Sequence, residues 1–369
     1  MPGSEGVAPG RLDLLGGVAD YAGSLVLELP TRLATTVRAE PADDFGLGEA
    51  TWSVSELGLL ARRPYPELRH ALRELPRWML YPLGVVLVLV RHGLIDPPRV
   101  RLHITSEVPP SVGVSSSAAL EVATARALVG RHVAPLRLAE LCQEAENHVV
   151  GAPCGVMDQV AVAVGTAGMV LPILCRPASV LPSLALPPGI ELVGIPTGVD
   201  HDVSGIPYQR ARVAAFMGKR MVEESLGHEW SWVSDLPHEA VRALPEEIDG
   251  ATFLDRGGVL ADAVTVVDPA TSYPVRAATG FGAQENARAQ TALWQLERGQ
   301  VDGLGPLLAA SHAAYDAMGL GHPASTSVVE KMVGREGVHG ARSSGGGCGG
   351  TVVVLCDRGA LDDVEGLIR

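Results

Sequence analysis

The run Pro109-Pro110-Ser111-Val112-Gly113-Val114-Ser115-Ser116-Ser117-Ala118 restricts what this chain can fold into more than any other feature. Before it, Arg99 to Ser106 alternates apolar residues (Val100, Leu102, Ile104), as a strand does. After it, Ser116 to Gly130 places Ala119, Val122, Ala123 and Leu128 at helical spacing. A glycine- and serine-rich turn therefore feeds a helix N-terminus. Unpaired amides and the positive end of the helix dipole make such a place an anion site, and three successive serines add hydroxyls able to meet phosphate oxygens or a magnesium ion. The other reading is a serine N-cap on an ordinary helix. The run is neither a Walker A loop, since no Gly-Lys-Ser/Thr follows, nor a dinucleotide-binding fingerprint.

A chain of 369 residues predicts two domains. A net charge of −13 opposes binding to nucleic acid or to an anionic membrane, both of which need a basic footprint. Any phosphate must then be held locally, by amides, a few arginines and a metal. The longest apolar stretch, Pro82 to Val90, is too short for a bilayer span, and the N-terminus shows no secretory pattern. The 5 cysteines include no CxxC pair, which argues against a disulfide framework or a zinc site and predicts a reducing cytoplasm.

Strands are predicted at Leu25 to Ala34, Gly168 to Leu174, Ile190 to Thr197 and Thr351 to Cys356. Helices are predicted within Pro66 to Leu94, Arg137 to Val149, Ala211 to Ser225, Glu285 to Leu296 and Pro306 to Met318, with another opening near Val156. The order is α+β, because strands and helices do not alternate regularly enough for a doubly wound parallel sheet. Pro182, Pro187 and Pro188 mark a boundary, giving domains 1–185 and 186–369.

The turn at 109–118 resembles the second motif of the GHMP kinase superfamily, usually Pro-x-Gly-x-Gly-Leu-Ser-Ser-Ser-Ala, with Ser111 where the first glycine is usual. Three more segments resemble galactokinase-family motifs in the right order. These are Ala8 to Tyr21 (APGRLDLLGGVADY), Glu146 to Gln159 (ENHVVGAPCGVMDQ) and Gly340 to Gly350 (GARSSGGGCGG), the last with Arg342 and Ser344 for the usual Lys and Thr. Trp78, Tyr81 and Gly84 match a Trp-x-x-Tyr-x-x-Gly pattern, and His201 to Arg212 resembles a His…Tyr…Arg segment. Ser311-His312 matches a pair read as structural.

The resemblance implies the two-domain GHMP kinase fold, with a ribosomal S5 domain 2-like N-terminal domain and a ferredoxin-like C-terminal domain. It implies ATP and Mg²⁺. Asp158 and Arg11 would be catalytic, and Glu146, Ser116 and Ser117 would hold the metal. Ser111, Gly113, Val114, Ser115, Ser116, Ser117, Ala118 and Trp78 would bind ATP, with core packing an equal reading for Trp78. Asp20, Gly17, Val18, Cys154, Gly155 and Tyr208 would line the sugar site. Whether Asp158 acts as a true base or through position and charge stays open, since an ordinary Asp has a pKa of about 4.

Galactokinases carry Glu-His-Thr-Asp where this chain has Gly17, Val18, Ala19 and Asp20. Losing the polar partners of a hexose hydroxymethyl group would leave that hydroxyl buried and unpaired, at roughly 1–3 kcal/mol. L-arabinose keeps the ring stereochemistry of galactose without that group. The stretch Ala8 to Pro30 also resembles the kinase domain of plant L-arabinokinases, here without their glycosyltransferase-like region, which predicts a free-standing L-arabinose 1-kinase. Galactokinase is the alternative, and a glucuronic-acid kinase, a diphosphate decarboxylase and a silent sugar and ATP sensor are further ones. Partners would be a small sugar and ATP, with no nucleic acid or membrane, and the chain a monomer or homodimer.

Overall fold

The computed structural model describes residues 4–199, 205–260, 262 and 264–369. Two compact units emerge. The first comprises Met1–Arg11, Pro30–Pro110 and Ser115–Ala167, and the second Leu12–Leu29, Ser111–Val114 and Gly168–Arg369. Each combines a sheet with helices, as the α+β expectation requires.

In the first unit, the second half of strand Leu25–Pro41 pairs antiparallel with strand Val100–Ser106, in the register Val37 opposite Ile104. Strand Val100–Ser106 also takes Phe45–Leu47 as a parallel neighbour, and that strand hairpins onto Ala50–Trp52. Helices Arg77–Arg91, Ser116–Val129, Pro135–Ala145 and Met157–Val164 pack on one another through Leu83, Val86, Ala119, Val122, Leu138 and Val160, all essentially inaccessible. The helical pattern predicted over 66–94 is in fact divided into Tyr65–Leu72 and Arg77–Arg91, and a further helix, Val54–Arg62, precedes it. Proline also separates Val54–Arg62 from the next helix by driving its predecessor out of the α region: Arg63, just before Pro64, is extended at ψ 145°. Pro64 and Pro76 each precede a helix whose first turn needs no amide from them.

In the second unit, the first half of strand Leu25–Pro41 pairs with strand Met169–Leu174. A separate antiparallel sheet runs Val338–Ser343, Thr351–Asp357, Ile190–Pro196, with Val354 between Ala341 and Val193. Helices Leu304–Met318 and Pro323–Val333 pack against strand Val338–Ser343, and helix Ile206–Leu226 packs along helix Val275–Leu296. The last of these begins ten residues before the predicted Glu285, and Pro323–Val333 and Val338–Ser343 carry too little apolar periodicity to be foreseen. All 5 cysteines are free thiols. No described helix is long and apolar enough to cross a membrane.

Candidate active site

The turn before helix Ser116–Val129 is held in left-handed conformations at Ser111 (φ 58°), Gly113 (φ 76°) and Ser115 (φ 61°). Ser111 thus adopts the backbone that glycine would adopt freely, and a side chain there carries strain. Ser115 stands at the N-cap yet makes no capping bond, and its Oγ is buried with no hydrogen-bond partner. The simple cap reading is therefore not realised: the helix's leading amides gain nothing from the Ser115 side chain. Val114 and Ala118 are buried beneath the turn, whereas Ser116 and Ser117 are partly open and Ser111 is exposed.

Two acidic residues of the first unit, Asp158 and Glu146, are candidates for the chemistry, and Glu146 bonds Ser117 at the start of the helix. Asp158, in the first turn of helix Met157–Val164, accepts from Arg11 Nε at 2.9 Å and Nη2 at 2.8 Å, both on Oδ1. Arg11 is 2% exposed, whereas the Asp158 side chain keeps 20% of its surface, so the acid is the reachable member of the pair.

Glu146 opens a π-helical turn, Glu146–Val150, and is buried. Its carboxyl is pushed up to about 7, chiefly by burial and then by the charge of Asp158, against the opposing pull of hydrogen bonds from Ser117, Cys154 and Gln159. Gln159 Nε2 donates to Glu146 Oε2 at 2.6 Å and to Glu121 Oε2 at 3.2 Å. Burial and the nearby Glu146 hold Glu121 well above the usual carboxylate range. Cys154 joins this network through its thiol, and its amide donates to Asn147 Oδ1 at 2.8 Å. Gly155 is buried just after it. Glu121 and Gln159 were not foreseen as part of the group. A signal existed for Glu121, a lone acid inside the otherwise apolar helix sequence SSAALEVATARALV.

Trp78 lies at the start of helix Arg77–Arg91 and is 45% exposed, so it is not a core residue.

The second unit brings the first motif from Leu12 onward together with the third. Asp13, fully buried, accepts from Arg342 Nη1 at 3.0 Å, from the Gly345 amide at 3.1 Å and from the Gly17 amide at 3.1 Å, while its own amide donates to Ser344 Oγ. Glu285 accepts from the Gly16 amide and from Ser311 Oγ, giving the Ser-His pair its structural role. The turn Gly17–Ala22 follows, with Val18 and Ala19 buried in a cluster that includes Tyr208. Asp20 is 5% exposed, and its Oδ1 accepts from the Tyr21 amide at 2.7 Å. Arg212 pairs with Asp262 through two bonds of 2.9 and 3.0 Å and lies over the Tyr21 ring. His201 falls outside the described residues.

Residues 81–166 match the family described as GHMP kinases N terminal domain, and residues 292–366 match GHMP kinases C terminal. The chain is 33% identical to the L-arabinokinase of Arabidopsis thaliana over 94% of its own length, and spans 42% of that longer protein. It is 32% identical to the galactokinase of Chloroflexus aggregans, covering 96% of this chain and 84% of that one. The crystal structure of Lactococcus lactis galactokinase complexed with galactose superposes with a TM-score of 0.79 at 20% identity, covering 98% of this chain and 87% of that one. With its fold, its ordered motifs and these relatives in agreement, the chain belongs to the GHMP kinase family and is a sugar kinase, a phosphotransferase.

Proposed function

We propose that this enzyme transfers the γ-phosphoryl group of ATP to the anomeric hydroxyl of L-arabinose, giving L-arabinose 1-phosphate and ADP. The observation that carries the sugar assignment is the turn after Gly16. Gly17 has no side chain, Val18 and Ala19 turn theirs into the apolar core, and Asp20 alone keeps a polar one. A turn built this way offers a ring hydroxyl a partner at Asp20 and offers an exocyclic hydroxymethyl group none. The comparable identity to an L-arabinokinase and to a galactokinase is compatible with either sugar, so the weight rests on these positions.

The uncapped turn Ser111 to Ala118 would cradle the phosphates through its amides. Glu146 and Ser117, hydrogen-bonded to each other, offer hard oxygen donors. No cluster of three or more His, Cys, Asp or Glu side chains suited to a metal exists among the described residues. That fits Mg²⁺, which is typically held by one or two protein oxygens together with phosphates and water. When bound, the ion would neutralise charge on the β and γ phosphates. In the transfer, the sugar hydroxyl oxygen forms the new P–O bond as the bond from γ-phosphorus to the β-bridging oxygen breaks. The hydroxyl proton passes to Asp158, and ADP leaves with the bond's electron pair. Arg11 holds Asp158 by Oδ1 and fixes the direction of its carboxylate.

ADP release measured with L-arabinose, D-galactose, D-glucuronic acid and D-glucose tests the assignment. The expected order puts L-arabinose first in kcat/KM, and a higher value for D-galactose would sink it.

A further inference from the structure

Tyr315 lies in helix Leu304–Met318, fully buried, with its ring edge-on to Phe281 at 5.5 Å between centroids and the Arg342 guanidinium 5.1 Å from its centroid. Its hydroxyl donates to the Gly345 carbonyl at 2.5 Å and accepts from the Val18 amide at 3.2 Å. One phenol therefore joins the glycine-rich third motif to the turn that follows Gly16. Burial pushes this hydroxyl far above the ordinary tyrosine range, so it stays a donor at any working pH.

The same hydroxyl occupies the space a side chain at position 17 would need. A Cβ built on Gly17 would stand 1.9 Å from Tyr315 Oη, 3.0 Å from its Cζ and 3.1 Å from Arg342 Nη2. Gly17 also sits at φ 49°, where a side chain is strained whatever the space. The ring cannot withdraw without breaking its packing on Phe281 and on the buried Arg342. Position 17 is thus kept bare from two directions, by its backbone and by a side chain that lies 297 residues from the neighbouring Val18.

We propose that Tyr315 is a specificity-determining positioning residue, which acts on the sugar through the backbone of Gly17 and Val18 and not by touching it. This rests on the reading of Gly17 to Asp20 as the sugar-selecting turn. It adds that the missing side chain at position 17 is enforced from helix Leu304–Met318. A substitution at Gly17 alone cannot supply a new polar contact for a larger sugar, because Tyr315 must change with it.

Tyr315→Phe keeps the ring and deletes the hydroxyl, leaving the Val18 amide and the Gly345 carbonyl without that partner. The expected result is a KM for the preferred sugar raised about tenfold, with kcat within about twofold, the KM for ATP unchanged, and the L-arabinose to D-galactose ratio of kcat/KM lowered at least about threefold. A folded Tyr315→Phe enzyme with unaltered sugar KM and ratio would overturn the proposal. Thermal melting supplies a second arm that needs no substrate. Gly17→Ala should lower Tm sharply beside Tyr315 and much less in a Tyr315→Leu background, and equal losses in both would also overturn it. Should the unmodified enzyme prefer D-galactose, the pentose assignment fails, while the Tyr315→Phe effect on galactose KM and the melting comparison still decide the role of Tyr315.

Discussion

Replacing Asp13 by Asn is expected to destabilise the second unit severely without touching a reacting atom. The Asp13 carboxylate faces one cation and two amides, namely Arg342 Nη1, Gly345 N and Gly17 N, all within 3.1 Å. Both partners of the ion pair are 0% exposed, and Arg342 Nε and Nη2 have no hydrogen-bond partner of their own. Arg342 stays protonated because Asp13 offsets its burial, so neutralising position 13 strands a charge that can neither reach water nor shed its proton. Breaking a buried pair from one side costs about 3–5 kcal/mol. A unit of roughly 200 residues loses about 2–4 °C of Tm per kcal/mol, so the fall should be near 10 °C. Scanning fluorimetry at pH 7 reads it. Adding Arg342→Met to Asp13→Asn removes the stranded cation and should recover about half of the loss. A drop below about 3 °C for Asp13→Asn, or no recovery in the double variant, would refute the view that this pair welds the first motif to the third.

Ser111→Gly should be tolerated, changing stability by less than about 1 kcal/mol because relief of the left-handed strain offsets the added freedom of the unfolded chain, whereas Ser111→Val should cost about 2 kcal/mol; equal melting of the two variants would contradict the strained turn. Asp158→Ala should abolish ADP release in an enzyme that still folds, and residual turnover above a few per cent would remove Asp158 from proton transfer. The carboxyl pair Glu121 and Glu146 gives a pH prediction. Both folded-state values are raised, Glu146 to about 7, so the unfolded chain releases protons first and stability falls as pH climbs from the usual carboxylate range through about 7. Glu121→Gln removes one of the two acids and should flatten that fall between pH 5 and 7.5, and an unchanged Tm-versus-pH slope would show that the pair is not strained by its burial.

Much of the site is legible in the sequence wherever function is carried by local runs. The phosphate turn, Arg11, Glu146 and Asp158 all lie in short ordered motifs, and the Arg11–Asp158 and Ser117–Glu146 contacts join residues that such motifs name. What stays hidden is made by pairs distant in the chain. Asp13 meets Arg342, Tyr315 meets Gly17 and Val18, and Gln159 bridges Glu121 to Glu146; no period or spacing announces such meetings. Ser115 shows the reverse case. Its position predicts a cap, yet its left-handed backbone turns the hydroxyl away from the helix's amides. In the fold, strand Ser4–Leu15 is hidden because its motif lacks clean alternation, and helices Tyr65–Leu72 and Arg77–Arg91 read as one because their apolar pattern runs on across Pro76.

The most direct test of the central claim is a competition in one vessel, with equimolar L-arabinose and D-galactose, limiting ATP and Mg²⁺, followed by ³¹P NMR of the sugar 1-phosphates. The account predicts that L-arabinose 1-phosphate dominates the early product. Galactose 1-phosphate in excess would contradict it.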